Sequence, residues 1–172
     1  MKNNIILVGM MGAGKSFIGN CLKSQFPQMS FVDIDDYIEN QEKMTISEIF
    51  STKGESAFRD IETQVIKLVC QGDNQIISLG GGAFEREENC QILNSCGYTI
   101  YLKASADVLF ERIKNETHRP LLKQGFGVEK IDEILQKRES NYQKAVIVVD
   151  TTEKSSYNII SEILKRIEEY AE

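Results

Sequence analysis

The feature that most constrains the fold is a glycine-rich segment near the amino terminus, residues 9–16, with the sequence GMMGAGKS. It follows an apolar run at residues 5–8 and precedes a stretch in which apolar residues recur at helical spacing. A glycine-rich loop between a strand and a helix turns backbone N–H groups and the positive end of the helix dipole toward the oxygens of a polyphosphate. The spacing GxxxxGK[ST] in this setting therefore predicts a phosphate-binding loop.

Individual residues of this loop have expected tasks. We expect Lys15 to reach the β- and γ-phosphates of a nucleoside triphosphate and the Ser16 hydroxyl to bind Mg²⁺. Further nucleotide contacts are expected from Gly12, Ala13, Gly14 and Phe17, whereas Met10 and Met11 are expected to pack beneath the loop. A glycine-rich turn that binds no ligand is the alternative, and the flanking strand and helix favour the nucleotide site.

Short apolar runs alternate with helical patterns along the rest of the chain. Runs at residues 5–8, 31–34, 75–79, 98–102 and 146–149 predict five buried strands. Helical patterns cover residues 55–70, 105–113 and 155–170. Another helix is predicted to begin with the capping box TISE at residues 45–48 and to stop at Gly54. Alternating strands and helices predict a single α/β domain with a parallel sheet, whose ligands bind beyond the carboxyl ends of the strands.

Charge and composition narrow the choice of partners and location. The formal net charge of −6 argues against a general surface for nucleic acid or anionic membrane. The four cysteines (Cys21, Cys70, Cys90 and Cys96) have no metal-ligand spacing, and we expect them to be reduced residues of the core or of helices. The apolar run at residues 5–8 is too short for a signal peptide or a membrane span, so a cytoplasmic location is expected. No heptad pattern calls for a protein partner, and a monomer is expected.

Two aspartates end the second predicted strand. If the strand continues through them, Asp33 and Asp35 point to the same side. One of them would then help to hold Mg²⁺ through water, while the other accepts a proton from an acceptor hydroxyl. The alternative is that Asp35 or Asp36 caps the helix that follows. The residues alone leave both interpretations open.

Three other features have a functional and a structural interpretation. Three consecutive glycines at residues 80–82 predict either a close approach of backbone to a ligand or a flexible turn. Arg59 either binds a ligand or forms an exposed helical ion pair with Glu55. Arg119 lies in a polar segment at about residues 114–126, which is either a lid over the nucleotide or a surface loop. His118, the only histidine, is expected to be a solvated residue of that loop.

Together these segments resemble the shikimate kinases over nearly the whole length of the chain. Besides the loop at residues 9–16, the likeness rests on DID at 33–35, ESAFR at 55–59, GGG at 80–82, RPLL at 119–122, and Arg138 with Tyr142. The loop alone identifies only a superfamily, whereas the other segments in this order are more specific. The resemblance implies phosphorylation of the shikimate 3-hydroxyl by ATP, with Mg²⁺ as cofactor, in chorismate and aromatic amino acid biosynthesis.

The resemblance also implies a fold. It is the three-layer P-loop kinase fold, with a five-stranded parallel sheet in the order 2-3-1-4-5, helices on both faces and a lid. A substrate-binding region is implied at about residues 35–62.

The same resemblance assigns roles to individual residues. Arg59 and Arg138 are implied to hold the shikimate carboxylate, while Asp35 and the glycines Gly80, Gly81 and Gly82 arrange its hydroxyls. Asp35 is the implied base or orienting group for the reacting hydroxyl. Asp33 is implied to support the metal indirectly, through the groups that bind the metal. Arg119 is implied to contact the transferring phosphoryl group, and Arg112 to stack on adenine. Two guanidinium groups suit a carboxylate independently of the resemblance, because they offer paired N–H donors in a plane.

The chain departs from the family pattern in two places. Residues 138–142 read RESNY and lack the proline that the family usually has before the tyrosine, so we expect a changed helix ending there. Residues 151–155, where the adenine loop of the family falls, match weakly. The nearest rival functions are other small-metabolite kinases, such as a gluconate kinase, and a nucleoside monophosphate kinase. A regulatory NTP-binding switch is a rival from another class, but the guanine-specifying NKxD segment that it needs is missing.

Overall fold

Five parallel strands form the sheet at the centre of the protein, described here from a computed structural model that covers residues 3–114 and 127–171. The strands are β1 (Asn4–Val8), β2 (Ser30–Asp33), β3 (Gln75–Ser78), β4 (Gly97–Lys103) and β5 (Ile147–Asp150). Their order is β2-β3-β1-β4-β5, and every neighbouring pair is parallel. The predicted sheet and its implied order are confirmed.

Helices cover both faces of this sheet. In the described residues they are α1 (Lys15–Gln25), α2 (Ile34–Glu42), α3 (Ile46–Val69), α4 (Glu87–Cys96), α5 (Ala106–Ile113), α6 (Val128–Tyr142) and α7 (Ser156–Ala171). A short 3-10 helix, Ala83–Glu85, lies between β3 and α4. Within the same part of the chain, no helix is both long and apolar enough to cross a membrane.

The core is built around the central strand. All five residues of β1 are buried, because β1 lies between β3 and β4 and helices cover both faces of the sheet. This explains why β1 is an unbroken apolar run after its first residue. The cysteines belong to helices or to the core, as predicted, and Cys70 Sγ lies 2.6 Å from Cys96 Sγ.

The first residue of β1 is polar, and its side chain is completely buried. Asn4 Nδ2 donates to the carbonyl oxygens of Gly72 (3.2 Å) and Cys96 (3.0 Å), and Asn4 Oδ1 accepts from Gln75 N (2.9 Å). One side chain therefore joins the start of β1 to the turn before β3 and to the end of α4. This junction lies at the amino end of the sheet, opposite the phosphate loop.

The structure corrects the expectation for the end of the second strand. β2 stops at Asp33, and Ile34 and Asp35 already belong to α2. Asp33 itself is the N-cap of this helix, because its Oδ1 accepts from the backbone N–H of Asp35 at 3.1 Å. The extended arrangement that placed Asp33 and Asp35 on the same side is therefore wrong, and so is capping by Asp35 or Asp36. A capping aspartate inside an otherwise apolar run ends a strand earlier than hydrophobicity suggests.

Two predicted features of helix α3 are confirmed. Its capping box is confirmed, since Thr45 Oγ1 accepts from Glu48 N (3.2 Å) and Glu48 Oε2 accepts from Thr45 N (2.7 Å). Gly54 was predicted to stop the helix. Its backbone leaves helical geometry (φ 82°, ψ 166°), but the helix resumes immediately and continues to Val69. The break predicted at Gly54 is therefore confirmed, and α3 consists of two helical stretches that meet at a kink there.

Candidate active site

The phosphate loop lies between β1 and α1, as predicted. Gly14 adopts a left-handed conformation (φ 87°, ψ 20°) immediately before α1, which glycine adopts at low cost. Met10 and Met11 are buried beneath the loop, as expected, and Ala13 is buried as well. Phe17, by contrast, is 64% exposed and lies at the edge of the cavity that the loop borders. The loop thus presents the N-terminus of an eleven-residue helix to a ligand.

The two polar side chains of the loop have defined contacts. Lys15 Nζ donates to the carbonyl oxygens of Gly9 (2.8 Å) and Met10 (3.0 Å). Ser16 Oγ donates to Asp33 Oδ2 (2.8 Å) and lies 3.3 Å from Ser78 Oγ. The structure therefore brings together the hydroxyl and the carboxylate that were predicted to support Mg²⁺. Oxygen donors from few protein residues suit Mg²⁺, which keeps waters and substrate phosphates as its other ligands.

A cavity of about 470 Å³ extends from this loop across the carboxyl ends of the strands. Its wall includes the loop, Asp33, Asp35, the glycines Gly80 and Gly81, and Arg112. This position agrees with the rule for ligands of open α/β sheets. One cavity therefore joins the predicted nucleotide residues to the predicted acceptor residues.

Arg112 lies at the nucleotide end of the cavity. Its Nη1 is 3.3 Å from the carbonyl oxygen of Gly12, and its Nη2 is 3.3 Å from that of Thr151. Arg112 thereby links the phosphate loop to the segment that follows β5. Lys154 and Ser156, from the weakly matched region after β5, line the same cavity.

Arg59 lies against the glycine segment and is more than an exposed helical ion pair. Its side chain is 15% exposed, and its Nη1 lies 2.8 Å from Glu62 Oε2. Its Nη2 lies 3.4 Å from Glu55 Oε1, so the helical ion pair predicted between Arg59 and Glu55 is also present. Burial acts to lower the pKa of Arg59, but the carboxylates of Glu62, Glu85 and Glu55 outweigh it and raise the pKa.

The glycine segment lies against both predicted carboxylate-binding arginines. A Cβ atom on Gly82 would lie 2.2 Å from Arg59 Nη2, and one on Gly81 would lie 3.7 Å from Arg138 Nη1. Arg138 belongs to α6, is 16% exposed, and its Nη2 lies 2.7 Å from Glu85 Oε1. Two guanidinium groups from different helices therefore converge on this backbone.

Tyr142 holds the helix of Arg138 against the glycine segment, a role that the sequence did not suggest. Its ring is fully buried and packs on Tyr101, with ring centroids 5.0 Å apart. Its hydroxyl donates to the carbonyl oxygen of Gly81 (2.5 Å), and burial raises the pKa of Tyr142 to about 12. Ser140 stands where proline was expected, and α6 continues through it to Tyr142. The helix of Arg138 is thus bonded directly to the glycine segment.

Two carboxyl groups meet beside Gly80. A Cβ atom there would lie 2.7 Å from Asp35 Oδ1 and 3.2 Å from Glu62 Oε1. Sequence reasoning did not identify Glu62, although its position three residues after Arg59 on a helix was an available signal. Glu62 is fully buried, and its Oε1 accepts no hydrogen bond from the described residues. Burial raises the pKa of Glu62 to about 7, against the opposing effect of Arg59.

Arg119, His118 and nearly all of the expected lid at about residues 114–126 lie outside the described residues. Their assignments stay predictions.

Comparison with known proteins agrees with this geometry. A family model described as shikimate kinase matches residues 11–168. The shikimate kinase of Thermodesulfovibrio yellowstonii is 43% identical over 165 residues, covering 96% of this chain and 95% of that protein. The shikimate kinase of Persephonella marina is 42% identical over 164 residues, covering 95% of this chain and 98% of that protein.

Solved structures give the same result. The shikimate kinase from Acinetobacter baumannii in complex with shikimate superposes with a TM-score of 0.91 at 30% identity, covering 99% of this chain and 95% of that chain. The shikimate kinase from Aquifex aeolicus gives a TM-score of 0.84 at 34% identity, with 98% of each chain covered. Together with the phosphate loop and the two arginines beside the glycine segment, these matches show that the chain belongs to the shikimate kinase family.

Proposed function

We propose that this chain transfers the γ-phosphoryl group of ATP to the 3-hydroxyl of shikimate, giving shikimate 3-phosphate and ADP. The observation that carries the proposal is the convergence of Arg59 and Arg138 on the glycine segment beside Asp35. Asp35 and the first two glycines border the cavity whose other end is the phosphate loop, and the two arginines lie against the glycine segment. The arrangement suits an acceptor that has both a carboxylate and a hydroxyl.

The acceptor carboxylate binds between the two arginines in this proposal. Planar guanidinium groups bind carboxylates through paired, charge-assisted hydrogen bonds. Such a local cluster is needed because the chain has a formal net charge of −6. The Acinetobacter baumannii enzyme, whose structure is a complex with shikimate, supports the choice of acceptor.

Asp35 is proposed to orient the 3-hydroxyl and to accept its proton. The hydroxyl oxygen attacks the γ-phosphorus, and the bond between that phosphorus and the β,γ-bridging oxygen breaks in line with it. The new bond joins the shikimate oxygen to phosphorus, while ADP leaves with the bridging oxygen. The position of Asp35 in the first turn of α2, against Gly80, supports this role because it faces the acceptor end of the cavity.

Lys15, Ser16 and Asp33 serve the phosphates in this proposal. Ser16 would bind Mg²⁺ directly and Asp33 would hold it through water, and the bound ion would neutralise charge on the phosphates of ATP. Gly12, Ala13, Gly14 and Phe17 complete the nucleotide contacts, with Arg112 near adenine. Arg119 is proposed to act on the transferring phosphoryl group from the lid.

The wider setting is also part of the proposal. The 172 residues act as one kinase domain, as a cytoplasmic monomer, in aromatic amino acid biosynthesis.

The acceptor is tested by measuring ADP release with Mg-ATP and either shikimate, gluconate, quinate or no acceptor. We expect strong turnover with shikimate alone. Turnover with gluconate, or no turnover with shikimate above background, would contradict the proposed acceptor.

The carboxylate site is tested by Arg59→Ala and Arg138→Ala. Each variant leaves a carboxylate partly unpaired, so we expect KM for shikimate to rise about 10- to 100-fold, with a much smaller change in KM for ATP. Arg86→Ala is the control, because Arg86 Nη1 binds Asp60 Oδ1 at 2.7 Å instead of facing the glycine segment. Equal losses for shikimate and ATP would show that the two arginines serve the nucleotide or the fold.

A further inference from the structure

Glu85 contacts one of the two arginines of the acceptor site, and no role has been assigned to it. It is the last residue of the 3-10 helix that follows the glycine segment. Its Oε1 lies 2.7 Å from Arg138 Nη2. Among the residues that the structure describes, Glu85 is the only carboxylate within 4.0 Å of that guanidinium.

The same carboxylate also influences Arg59. Glu85 is one of the three carboxylates that raise the pKa of Arg59. Arg59 has its own buried partner, Glu62, whereas Arg138 relies on Glu85 for its ion pair. A carboxylate of the protein itself therefore pairs with one of the two arginines proposed to bind the acceptor carboxylate, and it acts electrostatically on the other.

The two members of this ion pair differ in their freedom to move. The Arg138 side chain is 16% exposed and lies against the Gly81 backbone, while the Glu85 side chain is 41% exposed. Glu85, as the more exposed member of the pair, can therefore turn into solvent more readily than Arg138 can.

We propose that Glu85 is an affinity-determining residue that competes with the acceptor carboxylate for Arg138. Binding of a carboxylate acceptor displaces Glu85 into solvent and transfers Arg138 to the ligand. This inference rests on the proposed function, because it takes Arg138 to be part of the acceptor site. It makes acceptor binding weaker than the two arginines alone would allow.

The test is the dissociation constant of shikimate for Glu85→Gln, measured by titration calorimetry. The amide has nearly the same shape as the carboxylate but no charge. We expect the variant to bind shikimate about two- to fivefold more tightly, because the competing ion pair has been removed. The gain in shikimate affinity should shrink as the salt concentration rises, and KM for ATP should stay unchanged.

Two controls identify the cause of the change. Glu87→Gln removes the same charge two residues away, where Glu87 pairs with Lys144 at 2.6 Å, and should leave shikimate binding unchanged. In the Arg138→Ala background, Glu85→Gln should no longer tighten binding, because the residue through which it acts is absent.

Three results would overturn the inference. Weaker binding by Glu85→Gln would mean that Glu85 holds Arg138 in its productive position. Equal gains for Glu85→Gln and Glu87→Gln would indicate a general effect of charge, and a gain that persists without Arg138 would exclude competition for it. Failure of the proposed function is a separate result, because it appears as no shikimate turnover by the unaltered protein.

Discussion

The buried carboxyl of Glu62 should make the stability of the protein depend on pH. Glu62 is completely buried, and its Oε2 is 2.8 Å from Arg59 Nη1. Burial raises the pKa of Glu62 from 4.5 to about 7, although Arg59 acts in the opposite direction. Glu62→Gln replaces this group by a neutral one of nearly the same size that can still accept a hydrogen bond from Arg59.

Stability should fall as the pH rises, because Glu62 holds its proton more tightly in the folded protein than in the unfolded chain. A carboxyl with a higher pKa in the folded protein favours folding most when it is protonated. Its contribution is therefore complete below pH 4.5 and is lost as the pH rises through about 7. With one pKa unit equal to about 1.4 kcal/mol, the unaltered protein loses about 2 to 3 kcal/mol relative to Glu62→Gln between pH 5 and pH 8.

The assay is urea denaturation of both proteins at several values of pH between 5 and 8. The quantity of interest is the difference between their free energies of unfolding, since other titrating groups cancel in it. Glu55→Gln is the control, because Glu55 contacts the same arginine but its side chain is 66% exposed, and we expect nearly no effect on stability. A difference between Glu62→Gln and the unaltered protein that stays constant over this range would refute the reasoning, because Glu62 would then be ionised throughout.

Two further substitutions test the glycine segment. Tyr142→Phe removes the hydroxyl that donates to the Gly81 carbonyl, so we expect a loss of about 1 kcal/mol in unfolding free energy and a raised KM for shikimate in steady-state assays. An unchanged KM would show that this hydrogen bond serves stability alone. Gly82→Ala places a methyl group 2.2 Å from Arg59 Nη2, which must move, so KM for shikimate should rise at least tenfold with little change in KM for ATP. Thermal denaturation checks that Gly82→Ala still folds, and an unaltered KM for shikimate would contradict the placement of Arg59.

Patterns that depend on local chemistry were predictable from the sequence. The phosphate loop was identified because its glycines, Lys15 and Ser16 form a continuous segment between a strand and a helix. The strands were identified because a parallel sheet covered on both faces requires apolar runs. The strand order, in contrast, came from the family resemblance, since local patterns do not say which strands are neighbours.

Contacts between distant segments were not predictable in this way. Even the local geometry at the end of β2 was left open, because the spacing of Asp33 and Asp35 suits a strand as well as the start of a helix. Glu62 was overlooked although its partner is only three residues away on the same helix, whereas Glu85 and Tyr142 were given no role because folding brings their partners to them. Their partners are Arg59, Arg138 and the Gly81 carbonyl.

The buried Asn4 junction has a consequence for how such an enzyme can change during evolution. β1 begins at Asn4, which ties three segments together, and ends beside the phosphate loop, roughly 13 Å away along the strand. Substitutions around the junction therefore alter the margin of stability without touching the reacting groups. Mutations in the acceptor site that weaken folding can be offset by stabilising changes at this remote end. Stability and acceptor binding can thus be adjusted in turn, each at its own end of the central strand.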